Sequence, residues 1–196
     1  MFKRGNKYLI SNYTLQMKKV IALCVLFVTL QAQAQIKQAT LQASGLTCAM
    51  CSNAINKALQ KLPFTAKVES NIKESSFTVL FKPGMPVNFD ALRKAVEGAG
   101  FSVAKLQVKA AFNNVKVGND AHLSLQGQNL HFLGIKDQTL AGDQTFQLVD
   151  KKFVSDKTYK KYAASTKMEC VKTGVMASCC SKPGATNDNR IYHVTI

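Results

Sequence analysis

The stretch "GLTCAMCSNAINKALQKL" runs from Gly45 to Leu62 and sets two cysteines, Cys48 and Cys51, where a glycine-bearing loop gives way to a helix. Cys51, Ile55, Leu59 and Leu62 recur at spacings of four, four and three, which puts them on one apolar stripe. Pro63 stops the helix. A cysteine pair so placed binds a soft metal, shuttles disulfides or simply packs, and the surroundings decide among these.

Working outward, Ala39, Leu41 and Ala43 alternate with Gln38, Thr40 and Gln42 before the loop, the pattern of a half-buried strand. After the helix, Phe64, Ala66 and Val68 predict a second strand, and Phe77, Val79 and Phe81 a third. "KPGMP" turns the chain. Asn88 is placed to cap a second helix, with Asp90 in its favourable first turn and Phe89, Leu92, Val96 and Ala99 facing inward. Gly98 and Gly100 end that helix, and "FSVAKLQV" supplies a fourth strand. The order βαββαβ predicts an α+β, ferredoxin-like sandwich over residues 35–110.

In that fold the first loop meets the first helix at an edge open to solvent. Cys48 lies in the loop, Cys51 on the helix stripe, and the two intervening residues let both sulfurs converge. Unpaired N–H groups and the dipole at the helix start favour thiolate there, by about 0.3–1 kcal/mol per charge. Two soft thiolates suit Cu(I) or Hg(II). Zn(II) normally takes four ligands, and the loop offers no histidine or carboxylate to complete them.

Residues 36–110 resemble the heavy-metal-associated (HMA) domain family, which includes copper chaperones, the N-terminal modules of copper-transporting ATPases and periplasmic mercury-binding proteins. The family pattern G-M-T-C-x-x-C reads here as Gly45-Leu46-Thr47-Cys48-Ala49-Met50-Cys51, followed by a matching "SNAINKALQKL". Leu46 replaces a methionine that packs under the loop and fills a similar volume. "GAGF" at 98–101 also matches, with Phe101 where members often carry tyrosine or lysine near the metal; it shields the site without adding charge. The resemblance implies that Cys48 and Cys51 are the ligands and that the ion passes by ligand exchange to another cysteine pair.

The N-terminus reads as an address. Lys18 and Lys19 precede the apolar run "VIALCVLFVTL", and Ala32 and Ala34 form a small-x-small end. This is the pattern of a secretory signal peptide, with residues 1–34 removed, the first 16 an upstream extension, and Met17 a candidate start. Cys24 sits in the middle of the apolar core after the bulky Leu23, and is read as an inert apolar residue rather than a lipid anchor. The formal charge of the whole chain is +15. Without residues 1–34, 21 basic residues face 11 acidic ones. No long basic run concentrates that excess, so it is read as a solvated basic surface and not a nucleic-acid footprint.

Export leaves five cysteines: Cys48, Cys51, Cys170, Cys179 and Cys180. An odd number in an oxidising compartment is not a pure disulfide framework. Residues 111–196 are expected to form a second, small, mostly β domain, similar in order to an OB-type barrel: short strands around Val115, Val117, Leu123, Leu125, Leu130 and Phe132, a helix after Ser155, and the closing strand "RIYHVTI". Within it, "MECVKTGVMASCCSKPG" gathers Met168, Cys170, Met176, Cys179 and Cys180. Those sulfurs form either a second soft-metal site or a disulfide from Cys170 to Cys179 or Cys180 that staples the loop. His193 is either a further donor to the cluster or a half-exposed strand residue, and His122 and His131 are read as the latter.

The expectation is an exported, periplasmic or extracellular, non-enzymatic protein that sequesters or transfers Cu(I), with Hg(II) and Zn(II) as the other candidate ions. Its partners would be the ion and a metal-transporting membrane protein or another CxxC carrier, not nucleic acid. The competing readings are a thiol–disulfide exchange protein and an adaptor that docks a transporter. A thioredoxin-like site also begins a helix, but it needs a different element order and lacks counterparts here to its usual aromatic and proline.

Overall fold

The computed structural model describes residues 35–46, 48–176, 180 and 190–196. The expected signal segment, residues 1–34, and Cys179 lie outside them. Strand β1 (Gln35–Ser44) buries Ala39, Leu41 and Ala43, as the alternation requires, and a register shift between Ile36 and Gln38 brings Ile36 to the same face. Helix α1 (Ala49–Gln60) buries Ser52, Ile55 and Leu59. Strands β2 (Thr65–Asn71) and β3 (Ser76–Phe81) pair antiparallel. Ala66 is exposed, against the simple alternation, because the β2–β3 register shifts between Thr65 and Lys67; the bulge turns Thr65 rather than Ala66 inward. Helix α2 (Phe89–Gly98) starts at Asn88, whose side chain accepts the Ala91 N–H at 2.9 Å, and buries Phe89, Leu92 and Val96.

Strand β4 (Ser102–Val117) is 16 residues long, and residue 110 lies in its interior. Its first half pairs with β1, and β7 (Gln138–Leu148) pairs along it from Gln107 to Val117. The boundary expected near residue 110 is therefore crossed by a continuous strand. The remaining strands are β5 (His122–Leu125), β6 (Gln128–Phe132) and β8 (Ile191–Thr195). The strands join in one eight-stranded sheet, ordered β2-β3-β1-β4-β7-β8-β6-β5. The first four in that order are the ferredoxin-like arrangement. The others extend the sheet as an open continuation, not as an OB-like barrel. Long β4 is the physical reason: its free edge beyond β1 offers unpaired N–H and C=O groups that β7 satisfies.

One apolar core runs under most of this sheet, from Leu41, Ile55 and Phe89 to Leu130, Phe146, Tyr192 and Val194. Alternation along β8 then separates two faces. Tyr192 and Val194 join that core, whereas Ile191 packs with Cys170 and Cys180 in a separate cluster. The chain between β7 and β8 supplies that cluster through the single turn α4 (Cys170–Thr173), while α3 (Asp156–Ala163), capped by Ser155, packs Tyr159 and Tyr162 against Leu133, Val149 and Val171.

Candidate metal centres

Cys48 is the N-cap of α1. Its backbone is extended (φ −149°, ψ 159°), its carbonyl accepts the Ser52 N–H, and its sulfur accepts the Cys51 N–H at 3.4 Å. This conformation turns the Cys48 side chain back over the helix start, and the two sulfurs lie 2.7 Å apart. Cys48 is exposed and Cys51 half-buried. Leu46 and Phe101 pack, partly buried, against the main core, and Leu46 thereby anchors the loop. Met50 is 84% exposed and projects from the first turn beside the pair.

The thiols are electrostatically unequal. The hydrogen bond from Cys51, then the backbone N–H of Cys51, lower the Cys48 pKa below the ordinary thiol value. The same shared hydrogen bond, followed by desolvation and the nearby Cys48 charge, raises that of Cys51. The first proton therefore leaves Cys48, and a bound cation displaces the second. Among the described residues, no third histidine, cysteine or carboxylate groups with this pair. The pair is thus a two-sulfur, solvent-facing arrangement.

The sulfurs expected in the C-terminal half are also brought together in part. Cys170 and Cys180 are buried, and Met168 and Met176 pack against them. What sequence reading missed is the surface beneath. The β5–β6 register sets His122 opposite His131, and the parallel β6–β8 register sets His131 opposite His193. Three histidines thus form a row across three neighbouring strands. The rings of His122 and His131 stack at 4.4 Å between centroids, and those of His131 and His193 meet edge-on at 5.1 Å. His131 and His193 are 0% and 1% exposed, not the half-exposed residues expected.

Each ring has one nitrogen anchored. His193 Nδ1 lies 2.6 Å from the buried Asp150 carboxylate, which also accepts the His193 backbone N–H. His131 Nε2 lies 3.0 Å from Asp120 Oδ1, and His122 Nδ1 lies 3.0 Å from the Asp120 carbonyl oxygen. These acceptors place the protons on the anchored nitrogens. The opposite nitrogens then carry lone pairs: Nδ1 of His131, which faces Cys170 Sγ at 3.5 Å, and Nε2 of His193 and His122. Burial, then the neighbouring His193 and His122, push the His131 pKa down to about 4, against the opposing pull of Asp120. His131 is therefore neutral near pH 7.

Residues 40–102 match the heavy-metal-associated domain family. The probable copper-transporting ATPase HMA5 of Arabidopsis thaliana is 28% identical over 75 residues, which are 38% of this chain and only 7% of that protein. Among solved structures, the N-terminal domain of a potential copper-translocating P-type ATPase from Bacillus subtilis, in its Cu(I)-loaded state, is 29% identical. That match covers 35% of this chain and 85% of that one, with a TM-score of 0.32. Oxidized MerP from Ralstonia metallidurans CH34 is 28% identical over 35% of this chain and 97% of its own, also with a TM-score of 0.32. With its βαββαβ order and its cysteine pair at the start of α1, the segment 40–102 of this chain is a heavy-metal-associated domain.

Proposed function

We propose that this chain is an exported, non-enzymatic protein that binds Cu(I) between Cys48 and Cys51 and sequesters it or hands it on. The observation that carries the reading is the 2.7 Å approach of two sulfurs at an exposed helix start within a heavy-metal-associated domain. Two thiolates with no third donor grouped beside them, among the described residues, favour a soft ion content with low coordination over Zn(II). The copper-transporting relative supports Cu(I) over Hg(II). Export rests on the signal-like pattern of residues 1–34.

The geometry also supports transfer. Two metal–sulfur bonds of about 2.3 Å span more than the present sulfur separation at any angle of 90° or wider. The exposed Cys48 therefore swings outward on loading, while Cys51 stays on the helix. An incoming thiolate from a carrier or a membrane transporter meets Cys48 first, and the exposed Met50 offers an apolar contact beside it. Exchange then proceeds sulfur by sulfur, with no oxidation or reduction of the ion.

The test is anaerobic Cu(I) titration of the reduced protein against a competing chelator, with stoichiometry read by native mass spectrometry. Cys48→Ser or Cys51→Ser should each remove one tightly held ion and leave the circular dichroism spectrum unchanged. If the double serine variant holds as many Cu(I) ions as the parent, Cys48 and Cys51 are not the site.

A further inference from the structure

We propose that the histidine row on β5, β6 and β8, with the cysteines packed over it, is a second metal site that holds a borderline divalent ion, Zn(II) first, through His131 Nδ1, His193 Nε2 and Cys170 Sγ. Ligand atoms of these three residues lie within 4.8 Å of one another. A second triad, His122, Cys170 and Cys180, meets the same limit and shares Cys170. It supplies the fourth donor that a tetrahedral ion requires.

Three independent features point to a ligand. The buried Nε2 of His193 has no hydrogen-bond partner among the described residues. A buried polar nitrogen left so is rare, and a cation is one of the few groups that satisfies a lone pair there. Next, two of the rings are braced from behind by carboxylates, His193 by Asp150 and His131 by Asp120. That arrangement fixes the tautomer and makes the outward nitrogen a better donor, as the outer shell of metal-bound histidines does. Finally, the donors come from four separate places in the chain: β5, β6, β8 and the α4 turn with its following residues. Only the sheet register and the packing of α4 bring them to one point.

The chemistry differs from that of the first site. Imidazole nitrogens mixed with thiolate are harder than a bare thiolate pair and suit Zn(II), whereas two thiolates suit Cu(I). The second site is buried, while Cys48 is exposed. Two strands, β4 and β7, separate β1, which leads into the first site, from β8. The ion held there is resident: it ties the α4 segment onto the second face of the sheet and couples metal binding to folding.

The experiment uses the full chain carrying Cys48→Ser and Cys51→Ser, which silences the first site without touching the second. The reduced, chelator-stripped protein is titrated with Co(II) and then Zn(II). One ion per chain is expected by native mass spectrometry. Co(II) should give tetrahedral d–d bands and a thiolate-to-cobalt charge-transfer band, and Zn(II) should displace it. Cys170→Ser should weaken the charge-transfer band, and Cys170→Ser together with Cys180→Ser should abolish it. His131→Gln and His193→Gln should each weaken Zn(II) binding at least about 100-fold, and Asp150→Asn, which leaves every ligand in place, about 10- to 100-fold. Should a buried histidine variant fail to fold, the parent chain still decides, because stripping the ion should lower its unfolding midpoint and Zn(II) should restore it. Absence of stoichiometric Co(II) or Zn(II), a charge-transfer band indifferent to Cys170→Ser, or an unfolding midpoint unmoved by stripping would overturn the proposal.

Discussion

Arg190, at the entry to β8, donates from Nε to Oδ2 of Asp90 on α2 at 2.9 Å, one hundred residues away in sequence. The Tyr192 hydroxyl donates to the same oxygen at 3.2 Å, and the Tyr192 ring meets Phe89 edge-on at 5.0 Å. The last strand is thereby fastened to the second helix of the metal-binding domain by a charge pair, a hydroxyl and an aromatic contact. Both charged side chains are about three-quarters buried, so this pair is shielded more than a surface ion pair.

Asp90→Asn tests that fastening through pH. Burial alone would raise the Asp90 carboxyl, but the Arg190 hydrogen bond and charge, with Tyr192 and Arg93, outweigh it and hold the pKa below its usual range. A depressed carboxyl contributes stability above its unfolded pKa, near 4, and loses it as pH falls through the folded value. The variant should therefore be less stable at pH 7 by about 1 kcal/mol, allowing for partial solvent screening. Urea unfolding should show that deficit shrinking between pH 4 and pH 2. A deficit constant over that range would mean that the carboxylate charge is not what Arg190 holds.

The ferredoxin-like segment was legible because its signals are local. The stripe through Ile55 and Leu59, the Asn88 cap and the alternation of β1 and β3 all lie within single elements. The cysteine pair was legible for the same reason, since its two sulfurs are three residues apart on one helix start. The histidine row was half legible. A two-residue turn at Gln126 and Gly127, both with positive φ, forces His122 opposite His131. His193 comes beside them only through the parallel β6–β8 pairing, some sixty residues distant, and no local pattern encodes that. That residue 110 lies inside a strand was not legible, because β4 reads the same whether it ends at one partner or continues onto a second.

Continuity of the sheet has a mechanical consequence. Phe146 on β7 is buried and meets Phe112 of β4 edge-on at 6.4 Å, where the two halves share strands. Phe146→Ala should cost about 3–5 kcal/mol. Because one sheet and one core join the halves, the loss should be felt throughout. Hydrogen exchange should quicken in β1 and β3 by as large a factor as in β6 and β8. Acceleration confined to the strands after residue 117 would show that the halves unfold independently despite their common sheet.

The asymmetry between Cys48 and Cys51 is the most direct handle on the exchange chemistry, because it sets which sulfur an incoming group meets as a thiolate. In the reduced, metal-free protein, Cys48 alkylation by iodoacetamide should rise with pH at a lower value than an ordinary thiol, and ahead of Cys51. The cause is the hydrogen bond from the Cys51 thiol, added to its backbone N–H. Cys51→Ala deletes the first and keeps the second, so the Cys48 inflection should move upward, toward the ordinary thiol range, without returning fully to it. Peptide mass spectrometry of alkylation at each pH separates the two sites. Nucleophilicity falls as thiol pKa falls, so the plateau rate at high pH should be higher in Cys51→Ala while its rate near pH 7 is lower. An unchanged inflection would mean that Cys51 does not tune Cys48, and that exposure alone makes Cys48 the first sulfur to exchange.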